Sequence, residues 1–569
     1  MKGLLYSCIG YDLHDPKWAM IRAEEKDELG GGALRAVITE VEGGSVVWQG
    51  EPAYWGEKWG SHFWRIDFSA LDEKGEYVLC VLSDENVLFE SAPFEIGYDL
   101  LLRKSVEKTA IIQFEQRNLR ARNKSGWLDC GSDFKEACAH TAALIGLAEF
   151  YYNAYECLNE DQTERLLKQI MVGCDYLALL QDRAEQVGHK KGSIIHEITK
   201  NGSVILGDMA QFVVAMIKAS RILSEVDFEK SGEYLDRAEA AMQVLLTDPP
   251  YRTDGFQHWN HGAPEGYEPP REIITRDLLM MLWGAVELMK AGKTQYEETM
   301  LELARQVMAR QVPKEEAEDG LYGHFYAYPD KVFTDKAFVH HDICMDSGMV
   351  FPNFIVPLYD MYKYLLTTHP ELLDWEQCMR SFAYGYLLPA CERNPYCLMP
   401  MGVFGKEGLL DFCGPWHGWN TAIGYTAALA LILEELTGDY AFRKIAVGNL
   451  QWIAGLHCGL TNEAINDGSR WAGDLPEGQY VPMSQIQDVG SPTVQIWSRI
   501  PGSVANGFCT NHQFEFKVRP CRENDVPRYY GDEDWAAHSG GWLYALGLLK
   551  VKKTFSPDYW SEVEGLGWK

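Results

Sequence analysis

Residues 91–117, SAPFEIGYDLLLRKSVEKTAIIQFEQR, contain the change in hydrophobic pattern on which our prediction of the fold depends. The part that ends at Gly97 is a short apolar run beside a proline and a glycine, as in a β-strand. From Asp99 onward, apolar residues recur at the spacing of an amphipathic helix. We therefore predict that a β-domain ends and a helical domain begins near Tyr98.

The residues before this point form short runs rich in Val, Ile, Trp and Tyr, separated by Gly and Asp turns. Examples are ALRAVITEV (33–41), SVVWQG (45–50) and GEYVLCVL (75–82). Several short strands at this spacing are typical of a sandwich. Residues 1–97 are therefore predicted to form an all-β sandwich domain.

Residues 98–569 are predicted to form one all-α domain. About a dozen segments have helical periodicity, for example RDLLMMLWGAVELMKA (276–291) and TAIGYTAALALILEELTG (421–438). A parallel α/β sheet fits less well, because no apolar strand precedes each helix. The pattern favours a toroid of paired helices.

Charge and composition exclude several classes of protein. The net charge of −30, from 82 acidic and 52 basic residues, disfavours nucleic-acid binding, which needs clustered Lys and Arg. No apolar run approaches the roughly 18 residues of a membrane span. The N-terminal sequence has no signal-peptide pattern, and the 14 Cys are scattered without a C-x-x-C pair. We therefore expect a cytoplasmic protein with reduced thiols; the oligomeric state stays open.

Common cofactor and nucleophile motifs are absent from the sequence. There is no Gly-rich phosphate loop, no G-x-S-x-G and no H-E-x-x-H. We therefore predict no cofactor and no metal, and expect the chemistry to come from carboxylates, His, Tyr or Cys on loops at one rim of the helical domain.

The segment GWLDCGSDFKEACAHTAAL (126–144) carries the first candidate carboxylates. Asp129 and Asp133 lie on either side of a Cys-Gly-Ser turn, after Trp127 and just before a predicted helix. Hydrolysis of a glycosidic bond needs one carboxylate that activates water and another that protonates the leaving oxygen. Such a turn could clamp a water molecule. The alternative is an Asx turn with a helix N-cap.

The segment RYYGDEDWAAHSGGWLYALG (528–547) carries the second set. Asp532, Glu533 and Asp534 lie among Tyr and Trp side chains, again ahead of a helix. An acid among aromatic rings is partly desolvated, which raises its pKa and keeps it protonated near neutral pH. The alternative is an acidic first turn that the helix dipole favours.

Three further loops are predicted to contact sugar rings and hydroxyl groups. They are HWNH (258–261), FVHHD (338–342) and GPWHGWN (414–420). For GPWHGWN, the alternative is a wedge of aromatic side chains that closes a core. A metal site is disfavoured, because adjacent residues rarely point at the same ion. The predicted sugar-contacting side chains are Trp259, His340, His341, Trp416, His417 and Trp419.

Several segments, in order along the chain, resemble glycoside hydrolase family 9, in the subgroup with an N-terminal immunoglobulin-like domain. WRIDFSAL, GEYVLCVL and SAPFEI resemble the first domain of that subgroup, and AIIQFEQR resembles the helix that opens its catalytic domain. GWLDCGSDFKE resembles the family motif GGWYDAGDYGK, WSRIPGS resembles HHRpS, and YYGDEDWAAHSGG resembles the segment with the catalytic acid. Each segment is weak alone, whereas their order and spacing are fairly specific.

The resemblance implies an immunoglobulin-like sandwich followed by an (α/α)6 barrel, and an inverting mechanism on β-linked, gluco-configured sugars. It implies that Asp129 holds the attacking water and that Glu533 is the general acid. Tyr529, four residues before Glu533, matches the family's tyrosine. Arg499 matches the arginine of HHR and is predicted to bind sugar together with Trp127.

The sequence departs from the family pattern at the position of the usual base. Ser132 aligns with the second Asp of the family motif, and Asp133 follows it, so a one-residue shift could restore a base. A Ser hydroxyl could not act as a base unaided. Trp497 and Ser498 replace the two His of HHR, which predicts a substrate other than plain cellulose.

The predicted function is that of an inverting, exo-acting glycoside hydrolase of the β-glucosidase or β-glucosaminidase type, with an oligosaccharide as its partner. The alternatives are an endo-β-1,4-glucanase and a non-catalytic carbohydrate-binding homologue that lost its base at Ser132. A lyase acting on uronic acids is disfavoured, because it needs cations to neutralise the substrate carboxylate and the chain is strongly acidic.

Overall fold

The fold is described from a computed structural model of the chain. It describes residues 1–131, 135–198, 202–250, 270–317, 319–332, 334, 354–366, 369–403, 409–412, 418, 420–461, 475–510 and 530–552.

The N-terminal part is a sandwich of two sheets. The first sheet has the strand order β1-β3-β7-β6, and the second has the order β2-β10-β8-β4-β5, with β9 also paired to β8. The strands are β1 Lys2–Leu5, β2 Tyr11–Asp12, β3 Trp18–Ala23, β4 Leu34–Glu40, β5 Val46–Gly50, β6 Ala53–Lys58, β7 Ser61–Asp67, β8 Gly75–Ser83, β9 Asn86–Glu90 and β10 Phe94–Gly97.

Alternation along the strands explains the sandwich. In β8, Tyr77, Leu79 and Val81 are fully buried between the sheets, whereas the residues between them are partly exposed. Successive side chains of a strand point to opposite faces, so this pattern buries one face of the sheet. The last strand ends at Gly97 and the first helix begins at Leu100.

The C-terminal part is helical. Its described α-helices are Leu100–Val106, Gln113–Arg120, Ala137–Ala154, Glu160–Gln186, Leu206–Leu223, Phe228–Thr247, Thr275–Lys290, Glu297–Met308, Val356–Tyr364, Leu372–Phe382, Leu388–Cys391, Asn420–Thr437, Ala441–Ile453 and His538–Lys552. A π-helical segment, Glu107–Ile112, joins the first two. Two short strand pairs lie in the described loops: Gly402–Val403 with Leu409–Leu410, and Gly507–Phe508 with Tyr530–Gly531. None of the described helices is long and apolar enough to cross a membrane.

The helices form an inner and an outer set. Leu206–Leu223 is buried along its whole length except at Arg221, and Thr275–Lys290 is buried except at Lys290. In contrast, Glu160–Gln186 and Phe228–Thr247 bury only one face. A helix that is apolar all round belongs inside a fold, and an amphipathic helix covers it. This pairing is that of an α/α barrel, as the sequence predicts.

Glycines allow three inner helices to approach each other beside the candidate site. A Cβ atom at Gly146 would lie 2.2 Å from the carbonyl oxygen of Gly540, and one at Gly424 would lie 2.7 Å from the backbone of Gly541. Backbones this close leave no room for a side chain. The contacts fix where the helix His538–Lys552 begins, directly after the acidic segment.

The sandwich has an apolar core of its own between its sheets, and the barrel core extends onto part of the sandwich. Trp18 and Phe63 of the sandwich lie in the same buried cluster as the barrel residues. Across this boundary, the Arg22 guanidinium donates to the carbonyl oxygen of Cys458 at 2.6 Å, and Arg443 forms a buried ion pair with Asp15 at 2.9 Å. The predicted fold class, a β-sandwich followed by a helical barrel, is confirmed.

Candidate active site

Asp129 lies in a buried turn, and residues from two other segments donate hydrogen bonds to its main-chain carbonyl oxygen. Its carbonyl oxygen accepts hydrogen bonds from the Arg117 guanidinium at 2.9 Å and from the Ala536 N–H at 2.7 Å. Only 3% of the Asp129 side chain is exposed, and its Oδ1 has no hydrogen-bond partner among the described residues. An acceptor left this way in a polar site is available to a water molecule.

Glu533 lies beside the same turn. Its carboxylate accepts hydrogen bonds from the thiol of Cys130, the residue after Asp129, and from the Asn506 side-chain amide at 3.4 Å. The Asn506 N–H also donates to the Glu533 carbonyl oxygen at 2.7 Å. The structure therefore brings the two predicted carboxylates together, although 404 positions of sequence (129 to 533) separate them.

Asn506 is itself oriented by a buried chain of hydrogen bonds. The His538 Nε2–H donates to the Asn506 Oδ1, and the Thr421 hydroxyl donates to His538 Nδ1. Burial lowers the pKa of His538 to about 3, so the ring is neutral and can accept from Thr421. Sequence analysis missed Asn506 and His538; the only signal was that His538 lies in the segment that carries Glu533.

Arg117 ties the two acidic segments to each other. Its Nη1 donates to the carbonyl oxygens of Leu128 and Asp129, each at 2.9 Å. Its Nη2 donates to the Asp534 carboxylate at 2.9 Å and to the Ser503 hydroxyl at 2.9 Å. Both charged side chains of the Arg117–Asp534 pair are fully buried. This residue ends the quoted segment AIIQFEQR, but its role could not be predicted from the sequence.

The segment 497–499 forms the rim above this centre. The Trp497 indole lies against Gly131, and Trp497 is 36% exposed. The main-chain N–H of Trp497 donates to the Asp532 carbonyl oxygen at 2.9 Å. Arg499 is exposed and has a left-handed backbone with φ of 55°. A non-glycine residue in that region is held there by its surroundings. Arg499 thus lies close along the chain to Trp497, in the predicted sugar-binding segment.

The structure corrects the prediction for Trp127. Its side chain is fully buried, its indole N–H donates to Gln169 at 3.1 Å, and its ring stacks on that of His140 with centroids 5.2 Å apart. A fully enclosed indole cannot stack on a sugar. Trp127 instead packs in the apolar core next to the Asp129 turn, so its role is structural.

A second cluster adjoins Asp129. The Glu136 carboxyl hydrogen-bonds that of Asp129 and lies 3.5 Å from His196 Nε2. The other ring nitrogen of His196, Nδ1, lies 2.7 Å from the Asp208 carboxylate. Glu136 is part of the quoted segment GWLDCGSDFKE, but no pattern in the sequence connects it to His196 or Asp208.

Burial and neighbouring acids raise the pKa values of the central carboxyl groups. For Asp129, burial is the main cause, followed by the charges of Glu136 and Glu533. For Glu533, burial raises the pKa, and the hydrogen bonds from Cys130 and Asn506 oppose the rise. A carboxyl that keeps its proton to higher pH than usual is suited to act as a general acid, and of these two only Glu533 is partly exposed and so within reach of a substrate.

Several predicted site residues lie outside the described residues. They are Ser132, Asp133, Trp259, His340, His341, Trp416, His417, Trp419 and Tyr529. Their predicted roles stay predictions.

Comparison with known proteins gives matches among solved structures only. No family model and no curated protein matches the sequence. The structure resembles a metagenome-derived glycoside hydrolase family 9 endoglucanase with a TM-score of 0.62 and 15% sequence identity, over 96% of this chain and 98% of that chain.

Two further solved structures give the same result. A family 9 glycoside hydrolase of Bacteroides ovatus has a TM-score of 0.60 and 14% identity, over 96% of this chain and 99% of that one. A single mutant of a thermostable endoglucanase from Alicyclobacillus acidocaldarius has a TM-score of 0.60 and 14% identity, over 97% and 100%. The chain therefore has the fold of glycoside hydrolase family 9.

Proposed function

We propose that this chain is an inverting glycoside hydrolase that cleaves β-linked, gluco-configured oligosaccharides. The observation that carries the proposal is the pairing of a partly exposed acid, Glu533, with a buried carboxylate, Asp129, whose Oδ1 has no partner among the described residues. Inverting hydrolysis needs an acid on the leaving-group side of the sugar and a water-binding carboxylate on the other.

Glu533 has the role of general acid in this proposal. Its raised pKa keeps the proton available near neutral pH, and its partial exposure gives a substrate access to it. As the bond between the anomeric carbon and the leaving oxygen breaks, the Glu533 proton passes to that oxygen. Asn506 and Cys130 hold the resulting carboxylate by hydrogen bonds.

Asp129 has the role of positioning the attacking water. The main-chain bonds from Arg117 and Ala536 fix the turn, so that Oδ1 is held in place before substrate binds. Preorganised groups of this kind cost no rearrangement during the reaction. Asp133, which follows Ser132 in the sequence, is proposed as the second carboxylate of the pair, and it accepts the proton that the attacking water loses as its oxygen bonds to the anomeric carbon.

Exo action is proposed because of the segment 497–499. A bulky Trp497 stands where the resembled family has histidine, and its indole covers Gly131 next to Asp129. A large aromatic ring there narrows the cleft beside the reacting centre and offers a face on which a sugar can stack. The second candidate is an endo-β-1,4-glucanase, because two of the similar structures are endoglucanases.

A substrate screen tests the proposed function. Aryl β-glucosides, aryl β-glucosaminides and cello-oligosaccharides of increasing length are incubated with the full chain, and the products are separated by chromatography. Release of single sugars from one chain end supports exo action. Mixed internal products support the endoglucanase. Saturable binding of these sugars without any turnover would contradict the proposed hydrolase and support the non-catalytic carbohydrate-binding homologue.

The pH dependence of kcat is expected to respond to Cys130. A general acid works only while protonated, so kcat falls as pH rises through its pKa. The Cys130 thiol lowers the pKa of Glu533, and Cys130→Ala is therefore expected to move the alkaline limb of the profile to higher pH.

Cys130→Ser is the matched control, because its hydroxyl can still donate to the Glu533 carboxylate. It is expected to keep the alkaline limb near that of the wild type. If the alanine and serine variants have the same limb as the wild type, Cys130 does not set the pKa of the acid, or Glu533 is not the acid.

A further inference from the structure

Three potential metal ligands of different types converge beside the candidate catalytic turn. They are the Glu136 carboxylate, the Cys138 thiol and His196 Nε2, whose ligand atoms all lie within 4.8 Å of one another. Glu136 Oε1 is 3.5 Å from His196 Nε2, and Glu136 Oε2 is 3.9 Å from the Cys138 sulfur. In a tetrahedral zinc site, Zn–S and Zn–N or Zn–O bond lengths put neighbouring ligand atoms roughly 3.3–3.6 Å apart.

The other nitrogen of His196 provides an independent observation. Nδ1 lies 2.7 Å from Asp208 Oδ2, and Asp208 is 1% exposed. Histidines that bind metal through one nitrogen commonly donate their other N–H to a carboxylate, which fixes the ring and selects the metal-binding nitrogen. Asp208 thus leaves Nε2 directed toward Glu136 and Cys138.

The main chain holds these ligands in place. Glu136 directly precedes the helix Ala137–Ala154, and Cys138 is in its first turn. The Ala137 N–H donates to the His196 carbonyl oxygen at 2.8 Å, and the His196 N–H donates to the Ser203 carbonyl oxygen at 2.8 Å. The helix start and the segment that contains His196 are therefore hydrogen-bonded to each other next to the ligands. Both Cys138 and His196 are buried, with exposures of 6% and 3%.

We propose that Glu136, Cys138 and His196 bind a divalent cation of the zinc type, with Asp208 orienting His196. A set of one sulfur, one nitrogen and one oxygen suits zinc, whereas magnesium and calcium take oxygen ligands. Three protein ligands with a fourth position open to water is the arrangement of zinc sites that take part in chemistry.

The site adjoins Asp129, because the Glu136 carboxyl hydrogen-bonds the Asp129 carboxyl. This part of the inference rests on the proposed function: a cation there would lie beside the carboxyl group that is proposed to hold the attacking water. Sequence analysis predicts no metal, since 58 positions (138 to 196) separate the cysteine from the histidine and no ligand spacing is recognisable.

Metal binding by the full chain tests the proposal. The protein is stripped with a chelator, equilibrated with Zn²⁺ and desalted, and bound zinc is measured by elemental mass spectrometry. About one zinc per chain is expected for the wild type and a large loss for Cys138→Ala and His196→Ala. Asp208→Asn is expected to weaken affinity by about 10–100-fold. Cys174→Ser, which removes a buried thiol in another helix, is the matched control and is expected to bind like the wild type.

Substitution with Co²⁺ gives a second measurement that does not depend on a variant folding. A thiolate bound to cobalt produces a charge-transfer band in the near ultraviolet, which is expected for the wild type and for Cys174→Ser. Absence of stoichiometric zinc and of this band, or zinc binding that Cys138→Ala and His196→Ala leave unchanged, would overturn the proposal.

The outcome is separate from that of the proposed function. Zinc binding without cleavage of any glycoside would support the proposed metal site and contradict the proposed hydrolase function. Cleavage of a glycoside by a chain that binds no zinc would support the hydrolase function and contradict the metal site.

Discussion

Replacement of Glu533 by glutamine is expected to lower kcat by roughly 10²–10⁴-fold on substrates with a poor leaving group. Glutamine keeps the shape and the hydrogen bonds with Asn506 and Cys130, but it has no proton to give to the leaving oxygen. On aryl glycosides whose phenol leaves without protonation, the loss is expected to be much smaller. The measurement is kcat across a series of aryl leaving groups of increasing pKa.

Asp532→Asn is the matched control, since it removes a neighbouring acid that has no place in the proposed mechanism. Its kcat is expected to stay close to that of the wild type. If Glu533→Gln is impaired equally for good and poor leaving groups, Glu533 is not the proton donor. If Asp532→Asn has the leaving-group dependence instead, the acid has been assigned to the wrong residue of the segment.

The variant Arg117→Met is expected to destabilise the barrel by about 3–5 kcal/mol, because it leaves the buried Asp534 charge without its partner. Arg117 also donates to the carbonyl oxygens of Leu128 and Asp129, so these buried acceptors are left unsatisfied as well. The free energy of unfolding is measured by urea titration. The turn that holds Asp129 is expected to shift, so kcat falls even where the variant stays folded.

Two further variants separate the charge pair from general effects of the substitution. Arg122→Met removes an exposed arginine near the same helix end and is expected to change stability by less than about 1 kcal/mol. The double variant with Asp534→Asn is expected to recover part of the loss, since no unpaired charge remains buried. A loss below about 1 kcal/mol for Arg117→Met would contradict the role of this ion pair.

Local patterns in the sequence predict the strands, the helices and the boundary between the two domains. Alternation in GEYVLCVL identifies a strand with one buried face, and the same residues pair with β4, β9 and β10 in the structure. The Gly of TGDY (437–440) is a typical helix stop, and in the structure one helix ends at Thr437 and the next begins at Ala441. Such signals are local, because each depends on residues a few positions apart.

The site could be predicted only where a motif carried it. Asp129 and Glu533 follow from the family resemblance, and the structure brings them together. Arg117, Asn506 and the Glu136–His196–Asp208 cluster could not be predicted, because their contacts join segments far apart in sequence. The prediction that Trp127 binds sugar is wrong for a related reason. The sequence around an aromatic residue beside a catalytic turn does not indicate whether its side chain faces the cleft or the core.

The configuration of the first-formed sugar tests the central claim most directly. The full chain is mixed with a β-linked substrate from the screen, and ¹H NMR spectra are recorded before mutarotation equilibrates the anomers. Attack by water held at Asp129, opposite the proton donor Glu533, predicts that the α-anomer appears first and the β-anomer later. If the β-anomer appears first, the reaction retains configuration, and the pairing of Asp129 with Glu533 across the bond is wrong.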